Sequence, residues 1–344
     1  MKALHFFSNT KKVQLVKLPI PKITEPSDVL VKIAYSGICG TDIHIMKGKF
    51  PTREGPLILG HEFSGTVVEL GENVTTFKKG DKIAVDPNNS CRSCQSCHLG
   101  KPHFCTGTNN NIGTFADGGF SEYVVVPGHM VHKLPEVVNL KQAALAEPLS
   151  FISHGYDVIE PIPVGSKILI TGTGIIGTLW ACVLHLKGHR NVTICEPNKA
   201  RLDIIKKLEL GFTLLTPEEL KENRTKNSNY AFNFVIDCSG YAPIIEYGIN
   251  LLQKCGKHCC FGVASPEAEI KINPFKMFFN EWTIVGSKIN PYSFPKALGL
   301  LEAMSDRYVD FQKMGIKIYK LDEYAKAFSE LINGTVLKVV FQFK

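Results

Sequence analysis

No stretch of this chain holds eighteen unbroken apolar residues, so nothing in it reads as a membrane span. The opening residues, MKALHFFSNTKKVQLVKLP, lack the long apolar run and cleavage site of a secretory leader. Their apolar–polar alternation reads instead as strand. No block of like charge occurs. The formal net charge is +7, but the basic residues are scattered. The densest stretch, KENRTKNSN at 221–229, is short and has no aromatic platform beside it, which argues against a nucleic-acid partner. Internal repeats, low-complexity tracts and obvious linkers are also missing. What remains is the profile of a cytoplasmic, soluble protein of 344 residues, long enough for two domains with buried cores.

Cysteine, by contrast, is plentiful. Eleven of them in a reducing compartment suggest metal ligands, core residues or reactive thiols before disulfides. Cys91, Cys94, Cys97 and Cys105 crowd into SCRSCQSCHLGKPHFC, with the spacing C-x2-C-x2-C-x7-C. A bacterial ferredoxin run would have three residues before its last cysteine and a proline after it; here the gap is wider and Thr106 follows. Four thiolates in one loop suit tetrahedral Zn2+, with Zn–S bonds of about 2.3 Å. All four positions are then protein, so this zinc staples its loop and does no chemistry.

A second candidate metal site is spread over three segments. GICGTDIH offers Cys39, LGHEFSG offers His61 and Glu62, and LAEPLS offers Glu147. A catalytic zinc takes about three protein ligands and keeps one position open.

Along the chain, residues 1–146 are rich in β-branched runs broken by Gly and Pro, which predicts an antiparallel or mixed β domain. From about 147 the texture changes to strands alternating with helices, which predicts a doubly wound parallel sheet. SKILITGTGIIG is a strand running into a G-x-G-x-x-G turn made by Gly172, Gly174 and Gly177, and Glu196 lies nineteen positions past Gly177. That arrangement fits a dinucleotide site. The glycines admit the pyrophosphate at a helix N-terminus, and the acid accepts ribose hydroxyls and repels a 2′-phosphate, favouring NAD over NADP.

Taken together and in order, GICGTDIH, GHEFSG, the four-cysteine lobe, AEPLS and the Gly-rich turn resemble the zinc-dependent medium-chain alcohol and polyol dehydrogenases. The likeness is to the branch containing sorbitol, threonine and butanediol dehydrogenases. It implies an α/β protein with a GroES-like β-rich catalytic domain from residues 1–150 and 290–344, carrying a zinc lobe at about 88–108. A Rossmann nucleotide-binding domain would occupy 151–289. It further implies two zinc ions per chain, one structural and one catalytic. Cys39, His61 and Glu62 match the catalytic ligands, and Glu147 binds intermittently or holds the metal's water. Which glutamate is coordinated at rest stays open. Thr41 and His44 match the family's proton relay, and the ordinary histidine pKa of about 6.5 suits its last step. Ile175 and Ile176, Cys238 in DCSG, Val263 in FGVAS and Ser287 in IVGSK would pass the cofactor. Arg201 matches a basic residue beside the adenosine ribose, which keeps some NADP use in view.

The chain departs from the sorbitol dehydrogenase pattern at the substrate. There an Arg–Tyr pair aligns with Ile289 and Asn290, Lys288 being offset by one, and a tyrosine after the relay histidine is replaced by Ile45. Fewer polar clamps predict a more apolar pocket, for which Phe50, Phe115, Ile45 and Ile289 are candidate wall residues, ordinary core being the alternative for each. The expected reaction is therefore hydride transfer between NAD and a secondary alcohol or polyol. The alternatives are an NADPH-linked ketone or aldehyde reductase on the same site, and a non-enzymatic zinc protein. Relatives of this kind imply a homodimer or homotetramer, with a small-molecule substrate and no membrane or nucleic-acid partner.

Overall fold

The computed structural model describes residues 1–107 and 110–344, which fall into two compact units. Thr108, the last residue of the expected zinc lobe, lies outside the described residues. The first unit comprises Met1–Ser150 and Asn290–Lys344, the second Phe151–Ile289.

The first unit begins with the alternating segment at the N-terminus, which forms the hairpin β1 (Lys2–Phe7) and β2 (Lys12–Lys17). Next come β3 (Asp28–Ile38), β4 (Pro56–Ile58), β5 (Glu62–Leu70), β6 (Lys82–Val85), β7 (Tyr123–Pro127) and β8 (Val131–Lys133). β4 joins the hairpin as a small sheet, while β3 pairs antiparallel with both β5 and β7. Inward-facing Val29, Val31 and Ile33 of β3 meet Val67, Ile83 and Val124 in one apolar core. Side chains alternate across a strand, so this pattern buries one face and leaves the other for polar residues.

In the second unit, β9 (Ile168–Thr171), β10 (Val192–Cys195), β11 (Thr213–Leu215), β12 (Phe232–Asp237), β13 (Leu252–Cys260) and β14 (Thr283–Gly286) form an all-parallel sheet. Its order is β11-β10-β9-β12-β13-β14. ILIT of β9 and VTIC of β10 are buried at every residue, as strands covered by helices on both faces must be. The helix Ile175–Leu186 follows β9, and Gly188 at φ 91° ends it in the left-handed region.

The chain then returns to the first unit through β15 (Ile316–Lys320) and β16 (Lys338–Gln342). β16 pairs antiparallel with β3, Val339 opposite Ile38. One β3 end is thus flanked by β5 on one side and β16 on the other. A β-rich GroES-like unit and a Rossmann-type parallel sheet are the fold class expected from the sequence.

Candidate functional site

Two strand ends place the first cluster. Cys39 follows β3, His61 and Glu62 open β5, and the antiparallel register sets Gly37 opposite Glu62. Cys39 is also the N-cap of the helix Gly40–Met46, and the Asp42 carboxylate accepts its N–H at 2.8 Å. One donor atom from each of Cys39, His61 and Glu62 lies within 4.8 Å of the others. A thiolate, an imidazole and a carboxylate so arranged fit three-point binding of zinc with one position open.

Two residues that the sequence reading missed complete this cluster. The first, Asp42, is fully buried and holds Oδ1 3.5 Å from His61 Nδ1, which leaves Nε2 as the nitrogen for a metal. A carboxylate behind a ligand histidine fixes the ring and its tautomer. Burial pulls the His61 imidazolium down, but Asp42 and then Cys39 outweigh it and raise its proton affinity well above the usual value. The signal was present in GTDIH, where an acid three residues after Cys39 can cap the helix and reach the imidazole.

The second is Lys338, the first residue of β16. Its Nζ is ion-paired with Glu62 Oε2, and both side chains are 2% exposed. Gly37 makes the pair possible, because a Cβ there would collide with Glu62 Oε2 and stand 3.0 Å from Lys338 Cε. Burial lowers the lysine's proton affinity, but Glu62, then Cys39 and Glu147, raise it above the ordinary value. Nothing local in TVLKVVF marks that lysine; only the β3–β16 pairing brings it there.

Glu147 sits in the first turn of the helix Ala146–Ile159, buried but outside the three-residue cluster. Burial pushes its carboxyl up to about 8, against the pull of His61. Thr41 Oγ1 accepts from Cys39 Sγ at 3.7 Å, and His44, three residues further along the same helix, is exposed. Residues i and i+3 share a helix face, so the pair leads from the cluster to solvent. Of the two places open to Ile45, pocket wall or core, it takes the core: it is 1% exposed and packed in the core of the first unit. Phe50 is exposed and Phe115 half-buried. Asn290, expected as a lost clamp, is instead 1% exposed and fully hydrogen-bonded.

The four cysteines come together as their spacing predicts, with sulfurs 3.6 Å (Cys94–Cys97), 3.9 Å (Cys94–Cys105) and 4.0 Å (Cys91–Cys97) apart. A tetrahedral ion with 2.3 Å bonds needs sulfurs about 3.8 Å apart, so zinc fits. Ser93, through its N–H and hydroxyl, and the N–H of Cys94 hold the Cys91 thiol down to about 5, which favours the thiolate. A side chain at Gly107 would press on Cys91 Sγ.

In the second unit a cavity of about 880 Å³ opens at the carboxyl ends of the parallel strands. Gly172, Gly174, Glu196, Arg201 and Cys238 line it, as does Lys221, which the sequence reading did not single out. Gly172 has φ 90°, and a Cβ on Gly177 would overlap the Gly172 carbonyl oxygen, so the tight turn requires both glycines. Gly174 caps the helix with no side-chain acceptor, leaving its first N–H groups for a phosphate. Glu196 is 3% exposed, with Oε2 accepting from Thr173 N (2.7 Å) and Thr173 Oγ1 (3.0 Å) and Oε1 from Asn198 N (3.0 Å). Ile175, Ile176, Gly177, Val263 and Ser287 are not on the cavity wall, and Val263 is 91% exposed.

Known proteins share both halves of this arrangement. Residues 25–136 match the family described as the alcohol dehydrogenase GroES-like domain, and residues 141–343 match the glucose dehydrogenase C-terminus family. D-arabinitol dehydrogenase 1 of Uromyces fabae is 31% identical over 343 residues, 97% of this chain and 95% of the relative. D-altritol 5-dehydrogenase of Agrobacterium fabrum is 34% identical over 305 residues, 88% of each. A zinc-binding dehydrogenase from Sinorhizobium meliloti 1021, solved bound to NADP, matches with a TM-score of 0.89 at 30% identity over 99% of both chains. Agreement of that length, in both units at once, admits one placement: this chain belongs to the zinc-dependent medium-chain dehydrogenases, in their polyol branch, and is an NAD(P)-linked oxidoreductase of alcohols or polyols.

Proposed function

We propose that the protein interconverts a polyol and its ketose, using NAD in preference to NADP. The observation that carries this is the Cys39–His61–Glu62 cluster with Thr41 and His44 on one helix face beside it. When bound, zinc supplies Lewis-acid activation of the hydroxyl and the nicotinamide supplies the hydride acceptor. The chain does the rest. Cys39, His61 and Glu62 hold the ion, and Asp42 orients His61. Lys338 balances the charge of Glu62, while Glu147 stands by as a further carboxylate. Thr41 receives the hydroxyl proton and His44 delivers it to water. In the second unit, Glu196 takes the adenosine ribose hydroxyls, and its fixed carboxylate disfavours a 2′-phosphate. Arg201 and Lys221 on the same wall support some NADP use, the runner-up reading.

Initial rates of NADH and NADPH formation by the zinc-loaded enzyme, over five- and six-carbon polyols and simple secondary alcohols, test this reading. Polyol-dependent NADH formation supports it, and absence of turnover on every alcohol overturns it. Glu196→Ser is expected to lower the NAD-to-NADP ratio of kcat/KM by tenfold or more, since it removes a charge beside the phosphate position.

The reading extends to assembly. β14 is an open sheet edge, and Val263, Phe275, Phe278 and Phe279 are exposed in the same unit. An open edge with exposed aromatics favours pairing with a second copy. Light scattering after gel filtration tests it, a monomer at micromolar concentration being the contrary result. A reducing cytoplasm fits a chain in which no described cysteine forms a disulfide.

A further inference from the structure

We propose that Asp86 reads a second hydroxyl of the polyol, the one beyond the reacting carbon, and that Asn290 holds Asp86 in place to do so. This inference rests on the polyol reading of the site.

Asp86 follows β6 in the first unit. Its Oδ1 accepts from Asn88 N (3.1 Å), Asn88 Nδ2 (3.4 Å) and Asn290 Nδ2 (3.1 Å). Among the described residues no donor reaches Oδ2, and the residue is partly buried. One carboxylate oxygen is therefore committed to protein and the other is left without a protein donor. A carboxylate oxygen only accepts, so its natural partner is a hydroxyl or N–H donor, and a polyol is dense in hydroxyl donors.

Asn290 ties this carboxylate to the reacting centre. Its Nδ2 also donates to Ser150 Oγ at 2.7 Å, and its Oδ1 accepts from Asn88 Nδ2 at 2.7 Å. Ser150 Oγ in turn donates to the Glu147 carbonyl at 2.6 Å, and Ser293 Oγ donates to the Ser150 carbonyl at 2.9 Å. The chain Asp86–Asn290–Ser150–Glu147 fixes the first turn that carries Glu147 to the loop that carries Asp86. Asn290 and Ser150 are both essentially inaccessible to solvent. Buried polar links such as Asn290 and Ser150, whose own polar atoms are all paired, rigidify what they hold, as a recognition group requires. The chain bends tightly on both sides of Asn290, with Ile289 at φ 57° and Tyr292 at φ 54°. Such left-handed values are rare outside glycine, rarest for a β-branched residue. Asp86 thus supplies polar recognition where the missing Arg–Tyr pair suggested an apolar pocket.

The test pairs enzyme variants with substrate variants. Xylitol, D-arabinitol and their mono-deoxy analogues are assayed with wild-type holoenzyme, Asp86→Asn and Asp86→Ala. Asp86→Asn keeps a carbonyl for the three donors and replaces the free oxygen with an amide. The wild-type enzyme is expected to discriminate roughly tenfold to a hundredfold against one deoxy analogue, the scale of a hydrogen bond to a charged group. In both variants that ratio falls to near one, while zinc content and NADH affinity are unchanged. Calorimetric titration of xylitol into the enzyme–NADH complex is expected to show the same weakening. Asn290→Ala raises KM for the polyol more than it lowers kcat. A ratio that persists in Asp86→Asn, or equal losses on every substrate, overturns the role of Asp86 while leaving the polyol reading intact. A wild-type enzyme that oxidises only simple secondary alcohols, or none, overturns both.

Discussion

Lys338 and Glu62 show what one buried contact demands. Each charge is sealed from water, and each is the other's direct ion-pair partner. Removing one side of such a pair strands the other, at a cost of about 3–5 kcal/mol. Lys338→Met is therefore expected to lose stability on that scale in urea unfolding of the zinc-free protein. The double variant Lys338→Met, Glu62→Gln should recover most of it. Equal stability of wild type and Lys338→Met would show that the pair is not formed in solution. Cys39 is legible from GICGTDIH, and Asp42, though missed, left a local signal there, because a cap and its partner are three residues apart. Lys338 is not, since its contact crosses nearly the whole chain.

Elements explain why the metal chemistry divides as it does. The cysteine lobe draws all its sulfurs from one short loop, so its ligand set could be read from spacing alone, and the sulfur distances confirm that it closes. Cys94→Ser is expected to leave about one zinc per chain by metal analysis and to make the lobe sensitive to protease, with the Cys39 site still loaded. The Gly-rich turn was legible for a similar reason, as strand, turn and helix are consecutive. Gly177→Ala places a methyl against the Gly172 carbonyl. NADH affinity, followed by fluorescence, should drop at least tenfold, and unchanged affinity would mean that the turn relaxes freely. Ile45, open from the sequence to either pocket wall or core, is assigned at this scale. Its helix, Gly40–Met46, turns His44 outward and Ile45 into the core, and the alignment with a tyrosine position could not show which face the core claims.

In the second unit, stability carries its own titration. His258 on β13 is inaccessible to solvent, and burial lowers its imidazole to about 4, Asp237 opposing. Between pH 4 and 6.5 the unfolded chain binds a proton there that the folded chain does not, so stability rises with pH across that window. The contribution is fully present above 6.5 and is lost as pH falls to 4, amounting to about 3 kcal/mol. Thermal melts of His258→Leu should show a flatter decline below pH 6.5 than wild type, and parallel curves would mean that the histidine is not the group responsible.

The amino-acid order alone settled whatever is local. Strand alternation, the helix capped by Gly174 and ended by Gly188, and the four-cysteine lobe are each decided by residues close together in the chain, where spacing determines geometry. The family placement followed from those motifs occurring in sequence. Tertiary structure alone decided what depends on strand pairing across long separations. Lys338 reaches Glu62 over Gly37 only because β16 and β5 flank β3. Asn290 meets Asp86 and Ser150 only because the chain, after completing the second unit, re-enters the first at that residue. Hydrogen bonds and ion pairs act over a few ångströms, so the order of residues along the chain cannot reveal which distant ones will share that space.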